Sequence, residues 1–556
     1  MMGYTVGIDF GTLSGRAVLV DAESGAVRAT AVASYPHGVL SDRLPDGAEL
    51  PVHTALQHPE DYLGVLRSVV RRVIEEAGIS PSEVRGIGLD FTACTMLPLN
   101  EEHMPLCMDE EFCHEPNAYV KLWKHHAAEE DAERITEIAK RRGEEFLSRY
   151  GGRISSEWMI PKIAQILRQS PRVYEATYRF AEAADWLFYL LTGEEIYSAP
   201  FAGFKALWNE RDGFPSDDFF EAVDPRMKGI VGEKLSNRIT PICQRGFSLS
   251  EKGAELTGLP VGTPVSVPLL DAHASMSALG VTEEGSLMLI LGTSSVQMAN
   301  GREERAIPGI CGFVKDGVIP GLVSYEAGQS SCGDIFEWYL ENSLPASYLE
   351  AAKREGENIH AYLRGKAKRL AVGESGLLAL DWFNGNRSVL CDGSLRGMIL
   401  GMTLHTKPEE IYRALIEATA FGARMIYENY REGGIPVDRI IASGGIAEKD
   451  EMLMQIYADV FGCPITVSPA SLSASVGSAM YAAQAAGLYE TIEEASAAMR
   501  EKTSGRVYYP IAENAEVYDR LYAEYKTLHD YFGRGENSVM TRLGEISRGA
   551  EIGRLK

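Results

Sequence analysis

GIDFGTLSGR, residues 7–16 of this 556-residue chain, is the stretch that decides the fold. The residues around it predict a strand, a turn and a second strand over residues 4–20. Gly11 and Gly15 give the backbone the freedom that a tight turn needs, including a positive φ. A strand rather than a helix is predicted after the turn, which argues against a dinucleotide-binding fingerprint, where a helix opens after the glycines.

The polar side chains of this first hairpin are those that suit a phosphate group. Thr12 and Ser14 supply hydroxyl donors beside the backbone N–H groups, so the turn can form a concave anion site. Arg16 adds a fixed cation, and Asp9 ends the first strand, where it can hold waters of a Mg²⁺ ion that bridges phosphates. We therefore predict a phosphate-binding hairpin, although a plain β-hairpin also uses Gly, Thr and Ser.

A shorter version of the stretch, LILGTSS, recurs at residues 289–295. Gly292 and Thr293 stand there where Gly11 and Thr12 stand in the first hairpin. Two halves that each offer a Gly-Thr hairpin indicate a duplicated architecture with a cleft between the halves, although so short a similarity also arises by chance. The sequence lacks G-x-x-x-x-G-K-[ST], which excludes a P-loop enzyme.

A third glycine element, SGGIA, covers residues 443–447 and joins a predicted strand to a predicted helix. Gly444 and Gly445 would let a flat adenine lie against the backbone, and the start of the helix favours anionic groups. A tight turn without a ligand explains the same residues, so the element alone decides nothing.

Length and composition narrow the function classes. A chain of this length predicts two large domains. The net charge is −24, so we expect no basic face for nucleic acid. Eight cysteines without a C-x-x-C pair indicate free thiols in a reducing compartment. The start lacks a signal-peptide pattern, and no apolar run reaches the length of about 18 residues that spans a membrane, so we expect a cytoplasmic protein with no nucleic-acid or membrane partner.

Together the glycine elements resemble those of the FGGY carbohydrate kinases, in the superfamily of actin and hexokinase, over nearly all of residues 4–490. Residues 7–12 are similar to the family's first phosphate motif and residues 291–294 to its second. Residues 442–447 resemble the adenosine motif. Residues 397–417, GMILGMTLHTKPEEIYRALIE, closely resemble the C-terminal signature.

The resemblance implies an α/β fold with two actin-like, ribonuclease H-like domains and a nucleotide and sugar cleft between them. We predict a sugar-binding domain over residues 1–275 that carries the first hairpin and the catalytic base. A nucleotide-binding domain over residues 276–490 follows. Residues 491–556 are predicted to form C-terminal helices and a polar, mobile tail after Gly533.

The resemblance also implies ATP and Mg²⁺ as cofactors. Asp9 is the expected magnesium residue, acting through water. The residues implied for the nucleotide are Gly11, Thr12, Ser14, Arg16, Gly292, Thr293, Gly444, Gly445 and Asp450. Asp450 departs from the family pattern, which has Asn there, and an ionised Asp cannot donate a hydrogen bond to adenosine. This departure puts the mode of adenosine contact in doubt.

Asp271 is the candidate catalytic base. It follows the apolar run of residues 265–270, precedes small residues, and matches the family's base. A carboxylate beside a sugar hydroxyl can accept its proton as the bond to phosphorus forms. Asp271 would also suit the N-cap of a helix. His273, two residues on, either tunes Asp271, contacts substrate or simply packs.

Within the family, several stretches look most like the members that phosphorylate L-ribulose at its 5-hydroxyl, the step that yields L-ribulose 5-phosphate in L-arabinose catabolism. That similarity implies sugar contacts from Ala93 (through its backbone), Lys205, Asp271 and Glu326. Glycerol kinases have an Arg-Glu pair where this chain has Ala93-Cys94, which argues for a longer polyol.

Three alternatives stay open at this stage. A related ketopentose or pentitol kinase, acting on D-ribulose, xylulose or ribitol, would share these motifs, because a few pocket residues decide the stereochemistry. An actin-like ATPase without a sugar substrate would share the hairpins, and a sugar-binding regulator would have lost the catalysis. A homo-oligomer is also left open, with the C-terminal helix as its candidate interface.

Overall fold

The computed structural model describes residues 2–469, 472–501 and 505–554, and for residues 548–554 it describes the backbone alone. The chain forms two α/β lobes, each built on a mixed β-sheet, and the two hairpins of the sequence lie at the same cleft between the lobes. No helix of the described part is long and apolar enough to cross a lipid bilayer.

The strands follow one another along the described chain. They are β1 Tyr4–Phe10, β2 Ser14–Asp21, β3 Val27–Ser34, β4 Leu56–Gln57, β5 Val84–Phe91, β6 Met96–Leu99, β7 Val120–Lys121, β8 Arg179–Glu182, β9 Tyr197–Ser198, β10 Ile239–Thr240, β11 Leu269–Leu270, β12 Gly285–Leu291, β13 Ser295–Gly301, β14 Gly312–Lys315, β15 Val323–Gln329, β16 Leu378–Leu380, β17 Met398–Leu400, β18 Val437–Ser443, β19 Ile465–Val467 and β20 Arg506–Tyr508.

The α-helices lie between and after these strands. They are α1 Pro59–Ala77, α2 Glu129–Arg142, α3 Met159–Gln169, α4 Pro171–Ala176, α5 Ala183–Thr192, α6 Ala199–Lys205, α7 Asp217–Val223, α8 Ile230–Lys234, α9 Glu251–Thr257, α10 Asp271–Ala278, α11 Gly333–Asn342, α12 Ala346–Glu355, α13 Ile359–Ala367, α14 Pro408–Glu432, α15 Gly445–Lys449, α16 Glu451–Phe461, α17 Ser473–Ala485, α18 Ile492–Met499, α19 Ala512–Gly533 and α20 Val539–Arg554. Short 3-10 helices cover Pro81–Glu83, Leu106–Met108, Pro116–Ala118, Glu145–Tyr150 and Pro225–Met227.

The first sheet has the strand order β11-β5-β1-β2-β3, with β1 antiparallel to β2 and parallel to β5. β1, β2 and β5 are mostly buried, because α1 covers one face of the sheet while α10 and α17 cover the other, and β3 at the edge is partly exposed. Residues 92–268 are inserted between β5 and β11. They carry the two-stranded sheet β9-β10 and the strands β6, β7 and β8 of a four-stranded sheet, β4-β7-β6-β8, which β4 joins from the segment before α1.

The second sheet repeats the plan of the first. Its order is β14-β15-β13-β12-β18-β19-β20, and its five middle strands have the same pairing pattern as the first sheet. β12 is antiparallel to β13 and parallel to β18, as β1 is to β2 and β5. The fold class predicted from the sequence, two lobes of the same ribonuclease H-like topology around a cleft, agrees with this duplication.

Helix α17 returns the chain to the first lobe. The helix consists largely of Ala, Ser and Gly, and glycines on β1 and β5 let it lie directly on the sheet. A Cβ on Gly7 would overlap the carbonyl oxygen of Ser475, and a Cβ on Gly88 would overlap that of Ser478. The predicted second domain, residues 276–490, thus contributes α17 to the core of the first lobe.

The C-terminal segment, predicted to contain helices and a polar tail after Gly533, includes the helix α20. Met540 near its start is buried against the core of the second lobe. Thr541 and Glu545 on the same helix line the cleft between the lobes.

Candidate active site

The cleft between the lobes has a volume of about 1740 Å³. It is lined by residues of both sheets, of α10 and of the insertion after β5. The predicted site residues that line it are Asp9, Thr12, Arg16, Ala93, Lys205, Asp271, Gly292, Thr293, Glu326 and Gly444. Most of the residues selected from sequence therefore meet at one place, although they are up to 435 positions apart in the chain.

In both hairpins the glycine N–H closes the turn, and the turn of the first hairpin is one residue longer than that of the second. The N–H of Gly11 donates to the carbonyl of Ser14 at 3.0 Å, and the N–H of Gly292 donates to that of Ser294 at 3.0 Å. In the first hairpin, the Thr12 hydroxyl accepts a hydrogen bond from the indole N–H of Trp123 at 3.1 Å. Gly11 and Ser14 thus shape the turn, while Thr12 presents its side chain to the cleft.

Strand register places Asp9 beside two ionisable neighbours. Asp9 pairs with Arg16 across β2 and with Asp90 across β5. Asp90 is fully buried and accepts a hydrogen bond from the Ser478 hydroxyl at 2.6 Å. Burial and the Asp9 carboxylate raise the pKa of Asp90 well above its usual range, while burial raises the pKa of Asp9 and Arg16 opposes that shift. The pKa of Asp90 is thus the more strongly raised of the two, and Arg16 favours the ionised form of Asp9.

Sequence reasoning did not select Asp90, although a signal was present. Residues 88–91, GLDF, repeat residues 7–10, GIDF, and the two segments pair in register on neighbouring parallel strands. The rings of Phe10 and Phe91 stack at 5.0 Å between centroids.

Asp271 is the first residue of α10, at the end of β11. Its Oδ1 accepts a hydrogen bond from the Ala272 N–H at 2.7 Å. Burial and the nearby Asp9 carboxylate raise the pKa of Asp271 to about 7. At neutral pH this carboxyl group can both hold and accept a proton, as a general base requires.

A buried ion pair faces Asp271 across the cleft. Lys205 Nζ lies 2.6 Å from Glu326 Oε1, and His273 Nε2 lies 3.0 Å from Glu326 Oε2. Although burial opposes ionisation, Lys205 and His273 hold the pKa of Glu326 well below its usual range. Burial lowers the pKa of His273, and its ring packs edge-on against Phe204 at 4.5 Å between centroids. His273 is thus a packed residue that orients Glu326.

The two glycines of the third glycine element, residues 443–447, have different structural roles. Gly444 has φ 102°, and a Cβ there would overlap the carbonyl oxygen of Leu291, so only glycine lets β18 pass so close to β12. Gly445, the first residue of α15, faces open space. A flat ring could approach the backbone at this position.

Asp450 lies at the start of α16 rather than at the lining of the cleft. Its Oδ1 accepts a hydrogen bond from the Leu453 N–H at 3.0 Å, which caps the helix. Its Oδ2 lies 3.3 Å from Arg364 Nη1. Both oxygens are thus engaged within the protein, which gives the aspartate at this position a structural role.

An ion pair that the site prediction did not include crosses the cleft. Arg387, from the second lobe, donates to Glu157 of the first lobe at 2.9 Å. Both residues line the cleft. Nothing local in the sequence shows that the two side chains meet, because they are 230 positions apart and lie on different lobes.

Comparison with known protein families identifies the family of this chain. Residues 4–280 match the N-terminal domain of the FGGY family of carbohydrate kinases, and residues 287–486 match its C-terminal domain. The chain belongs to the FGGY family of carbohydrate kinases. The family predicted from the motifs is thereby confirmed, and the kinase assignment argues against both the ATPase without a sugar substrate and the non-catalytic regulator.

Family members named ribulokinase match nearly the whole chain. The one from Bacillus licheniformis is 50% identical over 96% of this chain and 97% of its own. The one from Geobacillus thermodenitrificans is 50% identical over 97% of this chain and 96% of its own. The one from Staphylococcus aureus is 38% identical over 98% and 99%.

Solved structures of the family share the fold. A ligand-bound xylulose kinase from Lactobacillus acidophilus has a TM-score of 0.79 at 18% identity, over 96% of this chain and 99% of its own. A xylulose kinase from Rhodospirillum rubrum has a TM-score of 0.75 at 24% identity, over 95% and 98%. These likenesses confirm the predicted fold class of two lobes around a cleft.

Proposed function

We propose that the protein is a ribulokinase, which transfers the γ-phosphate of ATP to the 5-hydroxyl of L-ribulose and releases L-ribulose 5-phosphate and ADP. The observation that carries this proposal is the meeting of both Gly-Thr hairpins, Asp271 and the Lys205–Glu326 pair in one cleft. The 50% sequence identity to ribulokinases over nearly the full chain supports L-ribulose as the sugar.

Asp271 acts as the general base. Its carboxylate accepts the proton of the 5-hydroxyl as the bond from that oxygen to the γ-phosphorus forms. The bond from the γ-phosphorus to its bridging oxygen breaks, and the electron pair leaves with ADP. The raised pKa of Asp271 matches this task near pH 7, because a base is most effective when its pKa lies close to the working pH.

The two hairpins hold the phosphates from both sides. Backbone N–H groups around Gly11 and Gly292 and the hydroxyls of Thr12 and Thr293 provide donors, and Arg16 lies nearby. Adenosine lies against the backbone at Gly444 and Gly445, since the carboxylate of Asp450 is already used by the protein.

Asp9 suits a magnesium ion, because its partly accessible carboxyl group lines the same cleft as Thr12 and Arg16 favours its ionised form. Mg²⁺ held there through water would neutralise charge on the β- and γ-phosphates.

The sugar lies between Ala93, Lys205 and Glu326. Glu326 accepts hydrogen bonds from sugar hydroxyls and Lys205 donates to them, while the backbone of Ala93 fixes one side of the chain. Lys205 and Glu326 neutralise each other, so neither buried charge requires the sugar as its partner.

Release of ADP across L-ribulose, D-ribulose, L-xylulose, D-xylulose, ribitol and glycerol tests the proposal. We expect the highest kcat/KM with L-ribulose and a product that ³¹P and ¹³C NMR identify as the 5-phosphate. A clear preference for another pentulose or a pentitol would replace the sugar assignment, and ADP release that does not depend on sugar would contradict the kinase reaction itself.

A further inference from the structure

The turn that carries Ala93 has a backbone that needs support. Cys94, the next residue, is 2% exposed and has φ 55°, in the left-handed region. A residue with a side chain is unfavourable in this conformation and keeps it only when its surroundings hold it there. The Ala93 side of the cleft is therefore held by contacts from elsewhere in the fold.

One buried ammonium provides such a contact. Lys162 lies on α3 and is 0% exposed, and its Nζ donates to the carbonyl of Cys94 at 2.6 Å. Burial lowers the pKa of Lys162, and the nearby Glu182 carboxyl group opposes this shift. Because the amino group is fully buried and lies 2.6 Å from the carbonyl oxygen, its loss would leave that oxygen without this donor.

The same ammonium also holds the loop beside the phosphate hairpin. Lys162 Nζ donates to the carbonyl of Leu122 at 2.9 Å. The following residue, Trp123, donates from its indole N–H to the Thr12 hydroxyl at 3.1 Å. Lys162 thus connects the Ala93 turn, where the sugar is proposed to lie, with the hairpin proposed to bind the phosphates.

We propose that Lys162 is a positioning residue, whose buried ammonium fixes the Ala93–Cys94 backbone against the Leu122–Trp123 loop and so sets the sugar site relative to the transferred phosphate. The inference rests on the proposed function in one respect, namely that the Ala93 turn contacts the acceptor sugar.

The chain contains a matched control for the burial of a lysine. Lys121 on β7 is 1% exposed, and burial lowers its pKa to about 7. Its Nζ donates to the side-chain oxygen of Asn117 at 2.7 Å. Lys121 therefore resembles Lys162 in burial, but its described side-chain hydrogen bond leads to a 3-10 helix away from the cleft lining.

The test compares Lys162→Met with Lys121→Met in the full chain, by steady-state kinetics and by thermal unfolding. The sugar is the one that the unmodified enzyme phosphorylates best in the panel above. We expect Lys162→Met to raise the KM for that sugar about tenfold or more, to leave the KM for ATP within about twofold, and to increase ATP hydrolysis without sugar relative to sugar phosphorylation. Lys121→Met is expected to lower the unfolding temperature while leaving the sugar KM within about twofold.

Lys162→Gln replaces the amino group with the NH2 donor of a neutral amide and serves as the second variant. We expect its sugar KM to lie between those of the unmodified enzyme and Lys162→Met. The inference is overturned if the Lys162 variants lose stability but keep the sugar KM, or if Lys121→Met raises the sugar KM as much. Because the comparison uses the preferred sugar, a preference for a sugar other than L-ribulose would overturn the proposed substrate and still test Lys162.

Discussion

Asp271 is divided between its acid and its carboxylate form near pH 7, because burial and the Asp9 carboxylate raise its pKa to about 7. A base that must be ionised to accept a proton loses activity as the pH falls below this value. An aspartate of ordinary pKa would instead be fully ionised throughout the neutral range.

We therefore expect kcat/KM for the sugar to fall about tenfold per pH unit below pH 7 and to level off above it, as for a single ionising group. The measurement is a pH–rate profile from pH 5.5 to 8.5 with saturating ATP and a check that the fold is intact at each pH. A flat profile over pH 5.5–7 would contradict the role of Asp271 or the raised pKa.

The Lys205–Glu326 pair gives a second prediction at this scale. Lys205→Met leaves Glu326 buried without its ammonium partner, which is expected to lower the unfolding free energy by about 3–5 kcal/mol. Adding Glu326→Gln removes the unpaired charge, so the double variant should regain part of that stability while sugar binding stays lost. Denaturant unfolding and sugar titration measure the two effects, and regained sugar binding in the double variant would contradict the assignment of both residues to the sugar.

At the scale of elements, the close packing of α17 on β1 fixes the position of the strand that carries Asp9. Gly7 lies against the carbonyl of Ser475 with no room for a Cβ, two residues before Asp9. The small residues of α17 and the glycine of β1 both permit this close approach. The contact therefore depends on two chain segments that are almost 470 residues apart.

Gly7→Ala is expected to push α17 away from the sheet and to lower the unfolding free energy by about 1–3 kcal/mol, as overpacking does. Gly64→Ala is the control, because Gly64 lies within α1 and a Cβ there meets no atom within 4 Å. It is expected to stabilise the protein by up to about 1 kcal/mol, since Ala has the higher helix propensity. Denaturant unfolding measures the unfolding free energy of both variants. Equal changes in the same direction would contradict the packing argument.

The elements also show what the sequence could predict. The hairpins were readable because glycines and hydroxyls next to a strand are a local pattern, and Asp271 because it ends an apolar run. Asp90 required the register of β1 and β5, and Glu157–Arg387 required the two lobes to face each other. The return of α17 and the packing of α20 depend on tertiary contacts that no local pattern contains.

At the scale of the whole molecule, the Glu157–Arg387 pair spans the cleft between the two lobes, both of which contact the substrates in the proposed reaction. Each side chain is mostly buried, with exposed fractions of 18% and 21%. The arginine holds the pKa of Glu157 below its usual range against the effect of burial. The pair thus favours a closed arrangement, which excludes water from the transferred phosphate.

Arg387→Met should leave Glu157 facing an apolar side chain across the cleft and shift the lobes toward an open arrangement. We expect a larger radius of gyration by small-angle X-ray scattering and a higher sugar KM. Glu157→Gln together with Arg387→Met should restore part of the closure. Arg302→Met, which breaks a pair with Glu284 on the outer surface, is the control, and an equal effect of that variant would contradict the role of the pair in closure.

The central claim is that one cleft joins ATP to L-ribulose through Asp271, and release of ADP by the unmodified enzyme and by Asp271→Asn tests it most directly. With L-ribulose, the unmodified enzyme should release ADP in proportion to sugar phosphate formed, and Asp271→Asn should be slower by about 100- to 10,000-fold with its fold intact. Near-normal sugar phosphorylation by Asp271→Asn, or ADP release by the unmodified enzyme that L-ribulose does not change, would contradict the account.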